Sequence, residues 1–279
     1  MLIDAHQHFW RVDRGDYGWL TPALTQLYRD FGPEDLEPLL ARHGIARTIL
    51  VQATPTVAET EFLLEVAART PFVAGVIGWA DFAAPDAPEA IAQLAKNPLL
   101  VGLRPMVQDI ADDDWLVRPE LGAAFRALVE HGLVFDALTL PRHLPRLLVT
   151  LDRHPDLPVV VDHGSKPLIR ERRLDPWRAD IAAVAARPGA VCKLSGLVTE
   201  AGPDWTLEDL RPTADHLLAS FGPERLLWGS DWPVVTLAGG YDRWREAALQ
   251  LTAHLGGPER VAVLGGNAAR VYLGRRGRR

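Results

Sequence analysis

Residues 2–10 read LIDAHQHFW, an apolar start followed by two histidines, His6 and His8, two positions apart. On a strand, side chains at i and i+2 project to the same face, so both imidazoles would look into one site. The stretch also arbitrates between two α/β folds. An open doubly wound sheet normally places a glycine-rich nucleotide loop directly after its first strand. Here HQHFW stands in that position, and neither GxGxxG nor GxxxxGK does. A barrel is the better reading.

Working outward, apolar strand candidates recur along the chain as LIDAH, RTILVQA, FVAGVIGWA, LLVGLRPM, LVFDAL, PVVVDHG, AVCKLSG and RLLWGSDWP. Helix-like stretches separate them, among them PEDLEPLLARHG, VAETEFLLEVAART, PRHLPRLLVTLDRHP and TLEDLRPTADHLLASFG. Eight strands, each followed by a helix, is the count of a single (β/α)8 TIM barrel, and 279 residues suit one. The pairs HG, PG and FG put glycine just past helix ends, where a left-handed cap costs little. Pro119 and Pro258 stand where helices begin. The barrel is expected over residues 1–274, with the basic run RRGRR at 275–279 as a solvated tail.

Composition narrows the class. Apolar residues make up 48% of the chain, enough for a large core. The net charge of −6 argues against a nucleic-acid partner. A single cysteine, Cys192, excludes an intrachain disulfide and a cysteine-only metal site. No charged n-region precedes an apolar h-region, and no apolar run is long enough to suggest a membrane span. A cytoplasmic enzyme is the simplest expectation.

A barrel puts its chemistry at the C-terminal ends of its strands. There the sequence places His6 and His8, Arg104, Asp136, Asp162 and His163, Lys193 and Ser195, and Ser230, Asp231 and Trp232. Three imidazoles and a carboxylate make a suitable zinc set, here His6, His8, His163 and Asp231. Asp231 could serve as ligand, general base or both. Arg104 could grip a carboxylate or hydroxyls. Asp136 could accept hydrogen bonds from a substrate or pair with Arg104. Lys166 could approach the site from the loop after strand 6. Trp79, Trp228 and Trp232 could form an apolar wall. Ser195 lacks a nucleophile elbow. The aromatic-rich segment from Phe9 to Gly32 could cover the mouth or meet a second subunit of a homo-oligomer.

The ordered set DAHQHFW, VGLRP, FDAL, VDHGSKP, CKLSG, GSDWPV and GNAARVY resembles the amidohydrolase superfamily, and within it the sugar-lactonase group. The resemblance runs from Leu2 to Tyr272. It implies hydrolysis of an aldonolactone, such as L-fucono- or L-rhamnonolactone, to the open-chain sugar acid. It casts His6, His8, His163 and Asp231 in the core site, with Asp231 deprotonating water. Arg104 would orient substrate or polarise its carbonyl, and Asp136, His163 and Lys166 would lie near the substrate. Asn267 would be structural. Two departures from the wider superfamily matter. No lysine ends strand 4, and Asp136 replaces a histidine at strand 5. One divalent ion, zinc first, is therefore expected rather than two, and metal-independent hydrolysis is the alternative. The competing functions are a decarboxylase or amide hydrolase on the same barrel, and a non-catalytic carbohydrate-binding protein.

Overall fold

The computed structural model describes residues 1–274; the run 275–279, expected to be a tail, lies outside them. The eight strands are β1 (Ile3–Gln7), β2 (Arg47–Val51), β3 (Val73–Gly78), β4 (Leu100–Leu103), β5 (Val134–Ala137), β6 (Val159–Val161), β7 (Ala190–Leu194) and β8 (Leu226–Trp228). They pair in sequence order, every pair parallel. Closure comes from a parallel bridge between Gln7 and Trp232. His8 N donates to Trp232 O at 2.7 Å and Asp231 N to His6 O at 2.8 Å. The seam that shuts the barrel is thus the segment that brings His6, His8 and Asp231 together.

Each strand is followed by a helix, at Pro33–His43, Val57–Arg69, Ala87–Leu94, Gly122–Glu130, Leu144–Arg153, Trp177–Ala185, Leu207–Phe221 and Gly240–Leu251. Their sequences explain them locally. Leu144, Leu147 and Leu151 recur at helical spacing and are buried. Thr56 caps the second helix by accepting from Glu59 N, and Thr206 and Asp209 form a capping box. Gly44 and Gly132 take positive φ after their helices, as the HG pairs suggest. Gly189 does not, and Gly222 combines φ 70° with an extended ψ of 160°, so the PG and FG pairs are not left-handed caps. A short helix, Leu197–Ala201, follows β7 directly and has no counterpart in the sequence reading.

Alternation along the strands divides the apolar residues into two layers. Ile3, Ala5, Ile49, Val51, Val134 and Val160 point inward; Leu50, Val76, Leu103 and Phe135 pack outward onto helices. The C-terminal segment adds Ala268, Val271 and Tyr272 to the inner layer. A Cβ on Gly265 would lie 2.5 Å from Met1 O, which sets this segment against the start of β1. Asn267 Nδ2 donates to Pro223 O and Leu226 O, both at 2.8 Å, and pins the entry to β8. Each fully buried Val, Leu or Ile contributes roughly 1.5–3 kcal/mol over exposure. That apolar foundation carries a layer of charge at the barrel axis: Asp136, Asp162 and Lys193 are all fully buried.

Candidate active site

Inward-facing positions at the strand ends build the site. Asp231 Oδ1 lies 3.3 Å from His8 Nε2, 3.6 Å from His6 Nε2 and 3.8 Å from His163 Nε2. Ligand atoms of His6, His163 and Asp231 all fall within 4.8 Å of one another. His8 stands beside them, its Nε2 3.2 Å from that of His6.

Local backbone conformations aim these groups. His163, Gly164, Ser165 and Lys166 have φ of 53°, 57°, 61° and 51°, four consecutive residues in the left-handed region. Lys166 N closes the turn on His163 O at 2.9 Å, and both side chains line one cavity. Asp231 also has positive φ, 59°. A non-glycine residue in this conformation costs roughly 1–2 kcal/mol, and such strain gathers where function fixes geometry. Two glycines provide the clearance. A Cβ on Gly196, which has φ 65°, would meet the His163 ring at 2.6 Å, and one on Gly229 would meet His6 Cβ at 2.7 Å.

Every imidazole has its second nitrogen engaged. His8 Nδ1 meets Val51 O at 2.8 Å, which requires a proton on Nδ1 and leaves the Nε2 lone pair to the site. His163 Nδ1 meets Ser195 Oγ at 2.8 Å. His6 Nδ1 lies 3.1 Å from Lys193 Nζ and 3.5 Å from Asp162 Oδ1. Below them Lys193 also reaches Asp136 Oδ2 at 2.5 Å and Asp162 Oδ1 at 2.9 Å, while the Tyr272 hydroxyl donates to Asp136 Oδ1 at 2.9 Å.

Electrostatics set the protonation states. Burial pushes His163 down to about 4, helped by Lys166 and Arg104 and opposed by Asp231 and Asp162. Burial and Lys193 push His6 well below its ordinary value. For Asp231, burial works to raise the pKa, but His163, the hydrogen bond to His8, and His6 outweigh it and hold the carboxyl well below the usual range. At neutral pH the site therefore holds a carboxylate among neutral imidazoles at His6 and His163. This donor set fits a divalent cation. The Nε2 atoms converge on one oxygen, the rings are oriented through their other nitrogens, and two ring nitrogens 3.2 Å apart are relieved by a cation between them.

The cavity over this floor has a volume of about 220 Å³. Arg104, His163, Lys166 and Asp231 line it together with His8. Arg104 is buried; it donates to Asp162 Oδ2 at 3.2 Å and to Gln52, while its Nε has no protein partner among the described residues. Among the described residues, the Lys166 side chain makes only a long pair with Glu200, 3.9 Å.

Three expectations need correction. Asp136 does not line the cavity: it is fully buried below the site, and its partners are Lys193 and Tyr272, neither substrate nor Arg104. Trp232 packs edge-on against Phe9 and Phe31, and Trp228 lies in the core. Trp79 is held through its backbone by Thr60 and is absent from the cavity wall. The aromatic wall comes instead from the long segment after β1. Trp10 and Trp19 meet edge-to-face at 5.4 Å, and their indole N–H groups donate to Arg29 O and Ala53 O. Ala53, Met106, Gln108, Asp109, Leu138 and Val234 complete the lining. Spacing alone gives no signal for these, because they sit on loops and short 3-10 turns.

The sequence and the fold both match known proteins. The family model described as Amidohydrolase matches residues 3–273. The chain belongs to the amidohydrolase family. This amidohydrolase is 49% identical over 274 residues to an L-fucono-1,5-lactonase of Burkholderia ambifaria, covering 97% of this chain and 94% of that one. It is 39% identical over 292 residues to an L-fucono-1,5-lactonase of Burkholderia multivorans, covering 98% and 96%. A crystal structure of a Burkholderia multivorans amidohydrolase with bound zinc superposes with a TM-score of 0.91 at 38% identity, covering 98% of this chain and 99% of that one. Among the described residues no helix is long and apolar enough to cross a membrane.

Proposed function

We infer that this amidohydrolase is a lactonase: it hydrolyses a sugar lactone to the open-chain acid. One observation carries the reading. Asp231 presents an ionised carboxylate at the cavity floor, beside three imidazoles and next to a buried arginine with an unpartnered N–H. That is what water attack on a carbonyl requires: a proton acceptor and a place for oxyanion charge.

The residues divide the work as follows. Asp231 accepts the proton of the attacking water as its oxygen bonds to the lactone carbonyl carbon. Arg104, which lines the cavity, turns its otherwise unbonded Nε–H to the oxygen on which charge develops and stabilises it. The ring C–O bond then breaks, and the proton returns from Asp231 to the departing alkoxide. Neutral His163 keeps its orientation through Ser195. Lys166 supplies a cation at the cavity edge for substrate oxygens and for the carboxylate that forms. His6, His8, His163 and Asp231 would hold one divalent ion, which supplies Lewis-acid polarisation and more acidic water when bound. Zinc is the ion proposed, because a relative's structure contains it. The names of the two Burkholderia relatives favour L-fucono-1,5-lactone as substrate.

A pH-monitored panel of freshly prepared aldonolactones, aromatic carboxylic acids and amides tests this. Proton release above the spontaneous rate with aldonolactones alone is expected. Release of carbon dioxide or amine, or sugar binding without turnover, would replace the lactonase reading. Activity that survives verified metal removal would leave Arg104 and His163 as the sole oxyanion groups.

A further inference from the structure

The cavity has two unlike walls. On one side stand Trp10 and Trp19, apolar faces fixed by hydrogen bonds to the backbone. On the other, the segment after β4 lines the cavity at alternate positions with Arg104, Met106 and Gln108, followed by Asp109. Gln108 N donates to Leu138 O at 3.0 Å, which ties this segment to the end of β5. The Gln108 amide is half-committed: its Nε2 donates to Asp109 Oδ2 at 3.3 Å, but its Oε1 is buried with no partner among the described residues. A buried amide oxygen left unpaired is unfavourable until a donor reaches it. Asp109, exposed beside it, offers only acceptors.

We propose that Gln108, with Asp109, reads the hydroxyl groups of the substrate, so that the segment after β4 sets specificity while Trp19, backed by the buried Trp10, covers the C–H face of the ring. This rests on the sugar-lactone reading and deepens it. With its amide turned toward the cavity, Gln108 accepts a ring hydroxyl at Oε1, which relieves the unpaired oxygen. A second hydroxyl, nearer the mouth, donates to Asp109. A lactone without the matching hydroxyl leaves Oε1 unpaired, the arrangement that makes polar sites reject deoxy analogues more strongly than apolar pockets reject a missing methylene. Gln108 is assigned to recognition, with Asp231 and Arg104 remaining the reacting groups.

The test is a cycle of enzyme and substrate changes. kcat/KM is measured for the wild type and Gln108→Leu on L-fucono-1,5-lactone and on its 2-, 3- and 4-deoxy analogues. For at least one analogue, the preference of the wild type for the full lactone should exceed that of Gln108→Leu by about tenfold. The difference should arise mainly in KM, and Gln108→Glu, which keeps an acceptor at the same reach, should restore part of it. Equal losses on all four lactones, or no loss on any, would overturn the proposal. Binding of the corresponding sugar acids, followed by tryptophan fluorescence, repeats the comparison without turnover. Hydroxyl-dependent binding lost in Gln108→Leu, with no hydrolysis by the wild type, would support the recognition role while refuting the lactonase reading.

Discussion

Lys193 Nζ lies 3.1 Å from His6 Nδ1 and 2.5 Å from Asp136 Oδ2, so one buried ammonium joins the floor of the site to the barrel axis. Its other partner is Asp162, and Asp136 is in turn held by Tyr272. Removing one member of a buried ion pair strands the others and typically costs about 3–5 kcal/mol. Lys193→Met should lower the free energy of unfolding in urea by that order. Lys193→Met combined with Asp136→Asn should recover part of the loss. A single variant as stable as the wild type would show that the charges do not depend on Lys193.

Glu59 gives a pH-dependent signature away from the site. Its carboxylate accepts from Ala53 N at 3.0 Å and Thr54 N at 2.9 Å, fixing the loop whose Ala53 carbonyl holds Trp19. Burial nevertheless raises its pKa from 4.5 to about 7, against those hydrogen bonds. The folded protein therefore binds this proton more tightly than the unfolded chain. Its contribution to stability is complete below the unfolded value and is lost as pH rises through about 7. Urea unfolding of the wild type relative to Glu59→Gln should show a difference that falls by up to about 3 kcal/mol between about pH 4 and about pH 8. A difference independent of pH would contradict the assignment.

Ser195 acts on chemistry through His163. Ser195→Ala removes the partner of Nδ1 while leaving the ring buried. Loss of such an orienting contact typically costs 10- to 100-fold in activity or metal affinity, so kcat should fall by at least about tenfold. Thermal unfolding should shift only modestly, because a single neutral hydrogen bond is worth about 1 kcal/mol. A variant with full kcat would reduce Ser195 to packing.

How much of this was legible in the sequence follows from where each residue sits. The strands could be read because a barrel demands apolar runs at regular intervals, and His6, His8, Arg104, His163 and Asp231 follow or end such runs. Lys193 and Ser195 were visible, but a period of two does not say which face is inward; the contacts with His6 and His163 decide it. Asp136 misled because a carboxylate on a strand looks the same whether it faces a substrate or a buried lysine. The aromatic segment from Phe9 to Gly32 was readable as a cover for the mouth, but which of its residues line the cavity was not, nor was Gln108, since their positions depend on loops whose paths are set by contacts 19 to 34 residues away or by neighbouring strands. The left-handed turn at 163–166 was equally hidden, because only one of its four residues is glycine.

Hydrolysis depends most directly on Asp231 as the base. Asp231→Asn keeps the size of the side chain but cannot take up a proton in the same way. Proton release from fresh L-fucono-1,5-lactone should fall at least about a hundredfold, toward the spontaneous rate, in a variant whose circular dichroism matches the wild type. Hydrolysis by folded Asp231→Asn at the wild-type rate would contradict the mechanism.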